Sequence, residues 1–150
     1  MAVSVRSLVL ALALTACAGD TALRAGVAAS NTLGAVLTAV DGELAVQQQR
    51  DRAAADLANP IDSTAYGKAL AVDNARADAL SVAWHAHGLL HVALAIWQTS
   101  GDSSAWPNAA ACAAGALKGL AAVLPTTWSE PLAIASAPLL AAGGRCTVAP

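Results

Sequence analysis

Leu57-Ala58-Asn59-Pro60-Ile61-Asp62-Ser63 is the stretch that sets the fold of this chain. Proline cannot continue a helix, because its ring clashes with the preceding turn and it has no N–H to donate. Asn59 before it is pushed toward extended backbone. On the N-terminal side, the large apolar residues Leu23, Val27, Leu33, Leu37, Val40 and Leu44 fall on one stripe of a helix, which Asp20 or Thr21 can cap and which runs to about Leu57. On the C-terminal side, Asp62 or Ser63 can cap a second helix ending near Thr99, before Ser100-Gly101-Asp102. Its stripe reads Tyr66, Leu70, Asp73, Ala77, Leu80, Trp84, His87, His91 and Leu94. Each helix spans about 35 residues, roughly 50 Å at 1.5 Å per residue. A connection this short makes them antiparallel neighbours.

Composition agrees with an all-α fold. Apolar residues make up 57% of the chain, yet phenylalanine is absent and Tyr66, Trp84, Trp97, Trp106 and Trp128 are the only aromatics. The apolar bulk is largely alanine, the strongest helix former and small enough for helices to approach closely. No alternating run suggests a strand. Gly26, Gly34 and Gly42 interrupt the first helix at eight-residue steps, each destabilising it by up to about 1 kcal/mol relative to alanine unless close packing compensates.

Beyond Asp102 the elements are shorter. Ser104 to Pro107 reads as a helix start, Ala109 to Leu124 as a helix, Pro125 as a stop and Ser129-Glu130-Pro131 as another start. Pro138 is expected to kink or break the last helix at Ala137, and Gly143-Gly144 to end it. If these two helices form a hairpin turning near Thr127, Cys112 lies opposite Ala142, and Cys146 reaches back to it. A disulfide there would stabilise the fold by roughly 3 to 4 kcal/mol in the chain-entropy model. Two buried thiols are the plainer alternative, and a metal site on two cysteines without adjacent histidines is the weaker one. The expected architecture is a long antiparallel helical hairpin with a short, disulfide-closed C-terminal hairpin packed on it.

The N-terminus carries a different signal. Arg6 precedes a short apolar run, Leu8 to Leu14, that leads into Leu14-Thr15-Ala16-Cys17. This resembles the signal peptide of bacterial lipoproteins, in which a leucine-like residue, two small residues and a cysteine direct lipid attachment to the sulfur and cleavage just before it. The resemblance covers about the first 20 residues. It implies a leader over residues 1–16 and a lipid-anchored helical domain over residues 17–150, with Cys17 as the lipidated first residue. An ordinary secretory signal and an apolar first helix of a cytosolic protein are the alternatives. Ala18, rather than aspartate, after the cysteine is compatible with transfer to an outer membrane in Gram-negative cells. The run before Cys17 is shorter than the roughly 20 residues of a membrane span. No later segment is expected to be long and apolar enough to span, leaving the lipid as the sole attachment. An exported domain would meet oxidising conditions, in which paired cysteines favour a disulfide.

Net charge is −2 and the charges are scattered singly, so nothing suggests a nucleic-acid partner. Trp84-His85-Ala86-His87-Gly88-Leu89-Leu90-His91 holds all three histidines. His87 and His91 are four apart, on one helix face, the spacing of two ligands in helical zinc or copper sites, with nickel a further candidate. His85 points away and no third ligand is apparent. Opposite them on the first helix lie Ser30 to Leu33, so inward-facing histidines bonded to Ser30, Asn31 or Thr32 are the structural reading, and a pH-sensing role is a third. Asp41 and Glu43 do not share a face, and Glu43 is expected to pair with Arg76. No phosphate loop, nucleophile elbow or catalytic triad is recognisable, so no enzyme is expected. The tryptophans suit either core packing or a membrane interface. The far tip of the hairpin is polar, with Gln47 to Arg52, Asp56 and Lys68. These features favour a structural or adaptor protein of the cell envelope, facing the periplasm and binding a protein or wall component. A small metal-binding lipoprotein using His87 and His91, and a phage-encoded envelope lipoprotein acting in infection exclusion or lysis, are the alternatives.

Overall fold

A computed structural model gives the structure of residues 21–57 and 63–147. The leader with Cys17, the Asp20 cap and the Asn59 to Asp62 junction lie outside the described residues. Four α-helices account for nearly all of the rest: α1 Thr21–Leu57, α2 Ser63–Ser100, α3 Trp106–Val123 and α4 Ser129–Leu140, with a 3₁₀ turn at Thr126–Trp128 before α4. No strand occurs among the described residues.

Each helix has two main neighbours: α1 packs on α2, α2 on α3, α3 on α4, and α4 on α1. The expected long and short hairpins therefore close into a four-helix body. At its centre Leu33, Leu37, Leu90, Leu117, Leu120, Leu132 and Leu139 are all but fully buried. Burying one such side chain contributes roughly 1.5 to 3 kcal/mol. Alanines fill the space between them, with Ala83, Ala86, Ala93, Ala110, Ala113 and Ala135 buried as well.

That alanine layer rotates the inward face of α2 away from the one expected. The buried line is Leu80, Ala83, Ala86, His87, Leu90, Ala93 and Leu94, while Trp84 is 37% exposed and His91 lies on the surface. Small residues let α2 settle closer to its neighbours, and the bulky Trp84 is displaced to the flank.

The helix ends follow local chemistry. Gly101 takes φ +76° after α2 and donates its N–H to the Trp97 carbonyl at 3.0 Å, a left-handed stop that glycine adopts freely. Asp102 Oδ1 accepts the Ser104 N–H at 2.8 Å, which holds its carboxyl below the usual range, and Pro107 sits in the first turn of α3. Pro138 does not break α4 at Ala137; the helix runs on to Leu140. A proline so near the end forgoes one hydrogen bond, to the Ile134 carbonyl, and the Ala141 N–H still reaches the Ala137 carbonyl at 3.2 Å.

The body covers only part of the long hairpin. The last buried residue of α1 is Leu44 and the first of α2 is Leu80, among those whose burial is described. Residues 45–57 therefore run on for roughly 20 Å at 1.5 Å per residue, beside the start of α2, as an arm. It carries the expected polar tip, but Val46, Tyr66, Leu70 and Val72 on it are each about half exposed.

By length and composition both long helices could cross a membrane, with mean hydropathy reaching 1.2 in α1 and 1.4 in α2. This corrects the expectation that no segment after Cys17 is apolar enough. Residues 79–96 carry no Asp, Glu, Lys or Arg, either on the buried side or on the exposed one, where Trp84, Val92 and Ile96 face outward.

Candidate functional site

The histidine segment and the cysteine pair occupy the same half of the body, where α2 meets the starts of α1 and α3. Gly26 of α1 faces Leu94 and the Trp106 ring, and Trp97 packs on Trp106 with ring centroids 6.1 Å apart. Trp97, Trp106 and Trp128 rest against the core.

Three histidines take three directions. His87 turns into the α1 interface and is 8% exposed. Its Nε2 lies 3.0 Å from the Ser30 carbonyl, which can only accept, so Nε2 carries the proton and donates. The Ser30 hydroxyl is a more distant neighbour at 3.4 Å. Of the other partners expected, Thr32 spends its hydroxyl on the Ala28 carbonyl at 2.9 Å. Gly34 makes this contact feasible: a Cβ there would lie 3.1 Å from the His87 ring. His91 stacks edge-on against His87 with centroids 4.5 Å apart, but from the exposed side, and Trp84 approaches His87 in the same manner at 5.5 Å. The expectation that both histidines face inward holds for His87 alone. His85 is turned toward α3.

Burial pushes the His87 pKa below its ordinary value, and a charge on nearby His91 would push the same way, while the bond to Ser30 opposes both. His87 is therefore neutral at pH 7, with Nδ1 as its one free lone pair. Among the described residues no three of His, Cys, Asp and Glu come together in a metal-holding group.

Cys112 and Cys146 form a disulfide, 34 residues apart in sequence with Cα atoms separated by 4.6 Å. Gly144 is what lets the tail approach. Its backbone lies on the Pro107 carbonyl with no room for a Cβ. Asn108 then clasps the tail, its Oδ1 accepting the Thr147 N–H at 2.9 Å and hydroxyl at 3.2 Å.

Two further ties differ from the expected pairing. Glu43 does not meet Arg76; it accepts the Trp128 Nε1–H at 3.0 Å, because α4 and its leading turn lie against α1 at that level. Arg76 instead donates to the Val123 carbonyl at 3.2 Å, a cation at the C-terminal end of α3, and lies 3.7 Å from Asp73. No protein family, curated protein or solved structure matches the chain.

Proposed function

We propose that this chain is a lipid-anchored protein of the bacterial cell envelope, facing the periplasm, with a structural or adaptor role and no catalytic activity. The observation that carries the reading is Leu14-Thr15-Ala16-Cys17 after one positive charge and a short apolar run. Two features of the fold support it. The Cys112–Cys146 disulfide suits an oxidising compartment. The arm stands beyond Leu44 and Leu80, at the opposite end of the hairpin from Thr21, and offers half-exposed Tyr66 and Leu70 beside Asp51, Arg52 and Asp73. An anchor at one end and a mixed apolar and charged surface at the other is a sensible layout for holding an envelope protein or wall component at a distance from a membrane. Cys17→Ser tests it: the wild type should fractionate with membranes and partition into detergent, and the variant should be uncleaved or soluble. A wild type that stays in the aqueous phase would overturn the reading.

A second reading, a small zinc- or copper-binding lipoprotein using His87 and His91, is favoured by one observation. Metal-bound histidines commonly donate their other ring N–H to a carbonyl, as His87 does to Ser30. Calorimetric titration with zinc and copper decides it. A site would bind better than about millimolar at neutral pH and weaken below about pH 6; a structural pair would take up neither metal.

A further inference from the structure

The side that α2 turns to solvent is as free of fixed charge as the side it turns to the core. From residue 79 to residue 101 the chain carries no Asp, Glu, Lys or Arg. Trp84, Gly88, Val92 and Ile96 recur every four residues and so run along one side of α2, with Ala95 among them, and all five are exposed. Thr99, at the end of this side, turns its hydroxyl back onto the Ala95 carbonyl at 2.8 Å. On the arm, by contrast, half-exposed Val46, Tyr66, Leu70 and Val72 are interspersed with Asp51, Arg52, Lys68, Asp73 and Asp78. Those charges keep the arm in water, and nothing of that kind holds the outer side of residues 79–101 there.

Position points to what covers it. Gly26 of α1 meets Leu94 and Trp106, and Gly144 meets Pro107, so this side belongs to the end of the body at which α1 begins. That end, residues 21–30, 87–114 and 134–147, carries only Arg24, Asp102 and Arg145 as Asp, Glu, Lys or Arg. Cys17 is four residues before Thr21, a separation of at most about 14 Å. With Cys17 lipidated, as proposed above and as this inference requires, a bilayer is always within reach of Trp84, Val92 and Ile96.

Size separates a bilayer from a second copy of the chain. Trp84, Val92 and Ile96 are 37%, 58% and 40% exposed, roughly 250 Å² of apolar surface if a whole large side chain presents about 150 to 250 Å². A stable dimer buries about 800 Å² per partner. A tethered protein needs far less, because the anchor has already removed most of the freedom that association costs and keeps the face at high local concentration. We propose that the Trp84, Val92 and Ile96 side of α2 rests in the headgroup zone of the membrane that holds the anchor, so that the body leans on the bilayer along roughly 18 Å of α2. Tryptophan at the edge of the contact suits that zone.

The test uses the mature lipidated protein, reconstituted into phosphatidylethanolamine and phosphatidylglycerol vesicles with and without brominated acyl chains, and reads tryptophan quenching. Trp97, Trp106 and Trp128 rest against the core, so bromine should quench Trp84 above all, and Trp84→Phe should lose most of the effect. Val92→Asp with Ile96→Asp, both at exposed positions, should lose it as well, while the protein still floats with the vesicles. Gly42→Ala, remote from this face, should change nothing. Circular dichroism reports whether the aspartate variant is folded, and Trp84→Phe decides the matter if it is not. A wild type that does not float overturns the anchor reading and this contact with it. A wild type that floats, but whose quenching is absent or is unchanged in Trp84→Phe or in the folded aspartate variant, overturns the contact alone. A dimer in detergent that the two aspartates split would then show that a second copy covers the face.

Discussion

Alanine substitution at Gly42, Gly34, Gly26 and Gly144 should give three different results from one chemical change. In the three α1 positions alanine gains about 1 kcal/mol of helix propensity. At Gly42 nothing lies within 4 Å of the new Cβ, so the gain stands, and stability should rise by about 0.5 to 1 kcal/mol. At Gly34 the Cβ would sit 3.1 Å from the His87 ring, whose Nε2 is held on the Ser30 carbonyl and cannot retreat without stretching that bond. At Gly26 it would lie 2.9 Å from Leu94 and 3.1 Å from the Trp106 ring. Overpacking costs roughly 1 to 3 kcal/mol, so both variants should range from neutral to about 2 kcal/mol less stable. Gly144 is outside any helix and its Cβ would collide with the Pro107 carbonyl, part of the backbone of α3. The tail must then lift from α3, which should lower stability the most and leave Cys112 and Cys146 partly unpaired. Urea melts followed by circular dichroism give the free energies, and alkylation mass spectrometry gives the state of the cysteines. Equal effects at Gly26, Gly34 and Gly42 would refute the contacts of α1 with His87, Leu94 and Trp106 described above; a fully oxidised, undiminished Gly144→Ala would refute the path of the tail.

Two further predictions concern the cysteines and the buried imidazole. Cys112→Ser with Cys146→Ser should cost about 4 kcal/mol, the chain-entropy value for the loop closed by residues 34 apart; urea melts of the oxidised wild type and the double variant measure it. For His87, folding lowers the pKa below the unfolded value near 6.5, so the unfolded chain binds more protons between the two values. Its contribution is complete above about pH 6.5 and is lost as pH falls through the folded pKa. Melts across that window should show falling stability in the wild type, and His87→Gln should be less stable at neutral pH but flatter with pH.

The helices themselves are legible because their boundaries are written in proline, glycine and serine: Gly101, Pro107, Pro125 and Ser129 all mark real transitions. The disulfide is legible from hairpin register. Which face of α2 turns inward is not, because the buried residues Ala83, Ala86 and Ala93 offer no contrast with exposed alanines. Large residues such as Trp84 and His91 then attract an assignment that packing does not support. Glu43 is mispaired for a related reason: opposing α1 with α2 alone leaves out the turn before α4, which brings Trp128 to it. The Ser30 to His87 contact follows from that same two-helix register, which holds at this end. The role of a helix glycine is illegible because Gly115 and Gly119 look in sequence just like Gly26 and Gly34, although one pair leaves space and the other yields it to a neighbour.

Intact mass and N-terminal peptide mapping of the exported protein test the central claim most directly. The account predicts a mature chain that begins at Cys17, carries a diacylglyceryl-sized increment on that residue and retains the Cys112–Cys146 bridge. A mature chain starting elsewhere, or one starting at Cys17 with an unmodified thiol, would contradict it.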